Sequence, residues 1–127
     1  MYSSKKILLV VEDNPIDREW VRLVLCRAGH EVTLAGHGEQ ALDHLAAGLL
    51  PDLIILDMML PVLDGWHLLE MVKQDSRLES VPILVTTAAT TITEQWAASH
   101  GCAGILRKPF DDESLARETA RCLELCN

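Results

Sequence analysis

Several absences narrow the possibilities before any motif is read. No apolar run approaches the ~20 residues of a membrane-spanning helix, so no span is expected. No CxxC pair occurs among the four cysteines, Cys26, Cys102, Cys122 and Cys126. Cys122 and Cys126 are spaced to share a helix face, but two thiolates fall short of the four ligands of a structural zinc site. Basic charge is not in excess: Lys and Arg number 11 against 19 Asp and Glu, for a net charge of -8. A phosphate backbone would be repelled by that balance, which argues against direct nucleic-acid binding. No internal repeat, low-complexity stretch or linker is visible. The short polar start, Met1 to Lys6, shows no leader pattern. Reduced thiols and a cytoplasmic setting are therefore expected.

What is present suits one compact domain over residues 1–127. Apolar residues make up 49% and charged residues 24%, enough for one sizeable core. Short apolar runs alternate with longer amphipathic ones. Ile7–Val11 is apolar throughout, as a strand buried on both faces would be. Asp13-Asn14-Pro15 opens a helix running to about Ala28, with Gly29 ending it. Strands are expected at Glu31–Ala35, Leu53–Leu56, Pro82–Thr86 and Ala103–Leu106. Further helices are expected at Gly38–Ala47, Trp66–Gln74, Thr91–His100 and Asp111–Leu125. A loop containing Pro61 and Asp64-Gly65 follows the third strand. Five apolar strands joined by helices imply a parallel α/β sheet covered on both faces, doubly wound with right-handed crossovers.

The acids fall where such a sheet binds ligands. In strand order 2-1-3-4-5, the first and third strands are neighbours and flank the switch point, outside the carboxyl ends of the strands. Glu12 and Asp13 follow the first strand and Asp57 follows the third. Thr87 ends the fourth and Lys108 the fifth. Three clustered carboxylates repel one another unless a cation joins them. Mg²⁺ prefers oxygen ligands and combines one or two carboxylates with phosphate oxygens. A lysine and a hydroxyl beside it suit phosphoryl oxygens. Singly, each residue is weak: an acid after a strand is often a helix cap, and Lys-Pro is often a turn. Their joint placement at four strand ends carries the reading.

These residues resemble the receiver domain of bacterial two-component response regulators, over nearly the whole chain. The matching pieces are Ile7-Leu8-Leu9-Val10-Val11-Glu12-Asp13-Asn14, Leu56-Asp57-Met58-Met59-Leu60-Pro61 with Asp64-Gly65, Pro82-Ile83-Leu84-Val85-Thr86-Thr87-Ala88, and Lys108-Pro109-Phe110. The resemblance implies a flavodoxin-like (βα)5 fold. It implies that Asp57 takes a phosphoryl group from a histidine kinase or histidine phosphotransfer protein, with Mg²⁺ or Mn²⁺. Asp13 would bind the metal directly, Glu12 through water, and Met59 through its backbone carbonyl. Thr87 and Lys108 would meet the phosphoryl group, and the Lys108-Pro109 bond would be cis, at a cost of only ~0.5–1 kcal/mol. Ile105 stands where the family often carries an aromatic switch residue. Met59 and Ala89 occupy two positions that tune phosphoryl lifetime, and neither can hydrogen-bond an attacking water. Slow self-dephosphorylation is the expectation.

Other residues bear on partners. With Ala97 and Ala98 inward, Trp96 would turn to the outer face of the fourth helix, near the fourth-helix, fifth-strand and fifth-helix surface that the family often uses for output or dimerisation. Trp20 and Trp66 are expected to be partly in the core. Ile16 and Pro109-Phe110 could frame a docking site for the donor. His30, His37, His44, His67 and His100 are read as surface or helix-end residues. The expectation is a stand-alone phosphoacceptor, monomeric or weakly dimeric, rather than an enzyme. The alternatives are a receiver module of a longer regulator or hybrid kinase, and a Mg²⁺-dependent aspartyl-phosphate phosphatase. Met59 argues against the phosphatase, whose common form has a second Asp two residues after the nucleophile.

Overall fold

A computed structural model describes residues 5–59 and 65–124. Its elements in chain order are β1 (Ile7–Val11), α1 (Pro15–Arg27), β2 (Glu31–Ala35), α2 (Gly38–Ala46), β3 (Leu53–Asp57), α3 (Gly65–Gln74), β4 (Ile83–Thr87), α4 (Glu94–Ser99), β5 (Gly104–Arg107) and α5 (Asp112–Glu124). All strand pairs are parallel, in the order β2-β1-β3-β4-β5. This is the flavodoxin-like doubly wound fold expected from the sequence.

The core lies on both faces of the sheet. On one face Leu9, Val11, Ile54, Leu56, Ile83 and Val85 meet α2, α3 and α4. On the other, Leu8, Val10, Leu53, Ile55 and Leu84 meet α1 and α5. The strands alternate their side chains between the two, and because both faces are covered, both sets are apolar. Among the described residues no helix is long and apolar enough to cross a membrane.

Local chemistry sets the helix ends. Asn14 Oδ1 accepts from the N–H groups of Ile16 and Asp17 at 2.9 and 3.0 Å, and Pro15 begins the helix where its missing N–H costs nothing. Gly29 ends α1 with a φ of +94°, a conformation that favours glycine. Thr93 caps α4 by accepting from Trp96 N–H at 3.0 Å. That cap explains why α4 begins at Glu94, later than the expected Thr91.

Several boundaries differ by a residue from the pattern reading. Asp57 closes β3 from within the strand, and β4 and β5 each run one residue further along the chain. Ladder hydrogen bonds extend past the apolar run, so hydrophobicity alone misplaces the end. Ala97 is buried but Ala98 is exposed. Trp66 is 45% exposed rather than core. Trp96 is half-buried rather than turned outward, because its ring meets Trp66 edge-on at 4.8 Å and stacks on His100 at 4.3 Å. Cys122 is buried; Cys126, Pro61 and Asp64 lie outside the described residues.

Gly65 carries a steric constraint that bears on the site. A Cβ there would sit 2.6 Å from Met58 Cα and 3.0 Å from the Asp57 carbonyl oxygen. The start of α3 therefore rests directly on the backbone that presents Asp57. Gly65→Ala should destabilise the domain by about 1–3 kcal/mol, the usual range for forced overpacking, read as a lower urea midpoint. An unchanged midpoint would show that the contact is not tight.

His30, half-buried below the sheet, is a pH-sensitive point. Burial lowers its pKa, with the Lys6 charge adding to the effect and Asp52 opposing it. The unfolded chain then binds more protons than the native one near the ordinary histidine pKa. Stability contributed here is present above about pH 6.5 and is lost as pH falls from there through the lower folded-state value. In thermal melts from pH 7.5 to 5.5, His30→Gln should flatten part of the wild-type decline.

Candidate functional site

The strand register dictates what meets at the carboxyl edge. Val11 pairs with Leu56, and Asp57 with Thr86. Glu12 and Asp57 thus leave neighbouring strands side by side. Thr87 pairs with Arg107, so Lys108 follows at the same edge. Each functional side chain comes from a strand end held by the apolar sheet behind it.

The acids converge as the topology requires. One carboxylate oxygen from each of Glu12, Asp13 and Asp57 lies within 4.8 Å of the others. Glu12 and Asp57 are buried, while Asp13 is exposed. Lys108 joins them from β5: its Nζ donates to Glu12 Oε1 at 2.8 Å and to Asp57 Oδ2 at 3.1 Å. The other Asp57 oxygen accepts from the Met59 N–H at 2.9 Å. Asn14 N–H donates to Glu12 Oε2 at 3.1 Å. The Lys108-Pro109 peptide is cis.

Charge balance in the crevice is incomplete. Burial raises the Glu12 pKa; Lys108 and the Asn14 N–H pull it down, and the Asp57 charge pushes it up again. Burial opposes the Lys108 charge, but its hydrogen bonds to Glu12 and Asp57 and their charges outweigh that, so its pKa is raised. One ammonium therefore faces three carboxyl groups. An all-oxygen donor set with surplus negative charge fits a hard divalent cation such as Mg²⁺ or Mn²⁺.

Thr87 is fully buried at the end of β4, and its Oγ1 accepts from the Ala89 N–H at 3.0 Å. Met59 is 64% exposed. Ile105 packs against the core. Beside the acids a cleft of about 460 Å³ opens along α1, walled by Trp20, Val21, Pro109 and Phe110. Trp20 and Phe110 pack ring to ring at 5.6 Å. Ile16, in the first turn of α1, is 79% exposed.

Two basic residues near the site escape a reading by motif. Arg18 Nη1 donates to the backbone carbonyls of Glu12 and Asp13 at 3.0 and 3.4 Å. Arg107 donates to the carbonyls of Ala89 and Ile92. Both act on backbone, which leaves no residue-type signature at the receiving end. The position of Arg107 beside Lys108 was the one available hint.

Comparison with known proteins agrees with the geometry. Residues 8–120 match the family model of the response regulator receiver domain. The DNA-binding dual master transcriptional regulator RpaA of Synechocystis is 36% identical over 115 residues, covering 89% of this chain and 47% of that protein. The chain spans about half the length of such relatives. Among solved structures, the chemotaxis response regulator CheY4 of Vibrio cholerae has a TM-score of 0.85 at 32% identity, covering 94% of this chain and 99% of that one. The receiver domain of sensor histidine kinase PA1611 from Pseudomonas aeruginosa, solved with a magnesium ion in its active-site cleft, has a TM-score of 0.83 at 30% identity, covering 95% and 99%.

A cation that completes the charge balance should stabilise the fold. Mg²⁺ at a hundred times its Kd should add about 2.7 kcal/mol, a rise in Tm of roughly 10 °C for a domain of this size. Asp13→Asn should remove most of that rise. An equal rise in the variant would show that the cation binds elsewhere.

Proposed function

As this chain belongs to the response regulator receiver domain family of two-component systems, we propose that Asp57 is its phosphoacceptor. The observation that carries the reading is a 2%-exposed carboxylate at the end of a central strand, flanked by Lys108 and two further acids. A phosphohistidine of a kinase or phosphotransfer protein would be the donor. Its N–P bond breaks as a bond forms from an Asp57 oxygen to phosphorus. The imidazole departs, and an acyl phosphate remains.

Each neighbour has a role in this reading. Glu12, Asp13, Asp57 and the Met59 carbonyl would hold the Mg²⁺. When bound, the cation neutralises phosphoryl oxygens that the carboxylates would otherwise repel. Lys108, now paired with Glu12 and Asp57, supplies a mobile positive charge for the same oxygens. Thr87 offers a hydroxyl from the end of β4. The Met59 N–H orients Asp57 so that its remaining lone pairs face the crevice. Positioning and charge neutralisation supply most of the rate in such a transfer.

The partners follow from the exposed surface. The cleft beside Trp20 and Phe110, together with the exposed Ile16 in the first turn of α1, suits docking of the donor histidine domain. The α4, β5 and α5 face suits a downstream protein or a weak homodimer. There Trp96 contributes an edge rather than an exposed ring. The chain acts as an acceptor and switch, not as an enzyme on a separate substrate, and Met59 leaves a phosphatase without its second acid. A cytoplasmic setting fits the free thiols: burial pushes Cys102 and Cys122 up to about 11, which keeps them protonated and unreactive.

Two outcomes are expected. Incubated with acetyl phosphate and Mg²⁺, the wild type gains one phosphoryl group by intact mass, and Asp57→Asn gains none. A wild type that never gains it, with or without Mg²⁺, would defeat the reading. The purified phosphoprotein should then decay slowly, because Met59 and Ala89 cannot orient an attacking water, and Met59→Asn should shorten its half-life. Decay of the wild type within seconds would contradict this.

A further inference from the structure

Arg107 ties the end of β5 to the loop between β4 and α4. Its Nη1 donates to the Ala89 carbonyl at 3.0 Å and its Nη2 donates to the Ile92 carbonyl. Ala89 is held at its other end as well, since its N–H donates to Thr87 Oγ1 at 3.0 Å. A single residue therefore connects the Arg107 guanidinium to the Thr87 hydroxyl. Ile105, two residues earlier on the same strand, offers only hydrocarbon and packs into the core.

The connection has a mechanical consequence. Thr87 is fully buried, and its oxygen currently serves the Ala89 N–H. If the hydroxyl turns towards a phosphoryl group, that N–H loses its partner. Ala89 is half-buried, and leaving its N–H without that partner costs free energy, which biases the loop to move with the hydroxyl. A movement that parts the Ala89 and Ile92 carbonyls from Arg107 gives up both of its hydrogen bonds. Contacts made in only one of two states bias the equilibrium towards that state.

We infer that Arg107 is a positioning residue that clamps the β4–α4 loop in its resting arrangement and thereby keeps the Thr87 hydroxyl off the phosphoryl site. The inference rests on the phosphoacceptor reading of Asp57 and extends it to regulation. The forked guanidinium suits the role, because it can serve two carbonyls at once from fixed directions, and an ammonium cannot be held to two in that way.

The test compares wild type, Arg107→Met and Arg107→Lys. Methionine keeps the apolar stem and removes the donors. Lysine keeps the charge and can hold one carbonyl. Amide exchange of Ala89, followed by NMR without donor or metal, reads the clamp independently of phosphorylation. In Arg107→Met it should be faster on the order of tenfold, equivalent to about 1.4 kcal/mol of lost bias. Phosphoryl gain from acetyl phosphate with saturating Mg²⁺ should accelerate to a similar degree, with Arg107→Lys between the two. The shift of the Thr87 and Ala89 amide resonances on phosphorylation should also shrink in Arg107→Met, since its resting loop already samples the shifted form. Unchanged Ala89 exchange overturns the clamp. So does faster exchange with an unchanged or slower phosphoryl gain. A charge effect alone predicts the opposite pattern, with methionine slowed and lysine like wild type. A wild type that gains no phosphoryl group defeats the Asp57 reading itself, and the regulatory role falls with it. Normal wild-type gain with an unaltered Arg107→Met defeats only the clamp.

Discussion

The Lys108 ammonium, set between Glu12 and Asp57, is the interaction around which the carboxyl edge of the sheet is organised. Two like charges 4 Å apart repel by about 4 kcal/mol at the effective dielectric of a partly buried site. Three carboxyl groups within 4.8 Å of one another would therefore strain the ends of β1 and β3 without a counter-charge. Lys108 supplies one from β5, across a sequence separation of 96 residues from Glu12. It satisfies part of the negative charge and leaves the rest for a divalent cation. That shortfall suits the crevice to the phosphoryl transfer proposed for Asp57, which a closed structural ion pair would not serve.

The sheet supplies the precision. Asp57 ends a strand buried along its whole length, and Gly65 lets α3 press on the backbone just behind it. An acceptor held this way loses little entropy on reaction. Thr87, Ala89 and Arg107 form a relay of hydrogen bonds between the end of β4, the loop that follows it and the end of β5 that carries Lys108. In the proposed reading, the strand ends carry the chemistry and the tethered loop its readout.

Most of this was legible in the sequence, for identifiable reasons. Continuous apolar runs such as Ile7–Val11 reveal strands buried on both faces, and parallel topology then dictates that Glu12, Asp13, Asp57, Thr87 and Lys108 share an edge. The five charged or hydroxyl residues needed no fine geometry to be found. Strand ends were misplaced by a residue because hydrogen-bonded ladders continue through polar residues such as Thr87. The start of α4 was misplaced because the Thr93 cap outweighs the earlier polar threonines. Trp20 is partly in the core, as its position on α1 suggests, but Trp66 and Trp96 differ from expectation because helix periodicity says which way a residue faces along one helix, not which neighbour arrives from another. Trp66 and Trp96 meet across α3 and α4, and that contact helps to half-bury Trp96, while Trp66 stays 45% exposed. Arg18 and Arg107 bind carbonyls, and a carbonyl has no residue identity to read.

The central claim is chemical, that the acyl phosphate forms on Asp57 and nowhere else. Borohydride reduces an acyl phosphate to the alcohol, converting a phosphorylated aspartate into homoserine. Treating the phosphorylated wild type with borohydride and sequencing its peptides by mass spectrometry locates the acceptor directly. The account predicts homoserine at position 57 and at no other acidic residue. Homoserine at position 13, or phosphate retained on a histidine with position 57 unmodified, would contradict it.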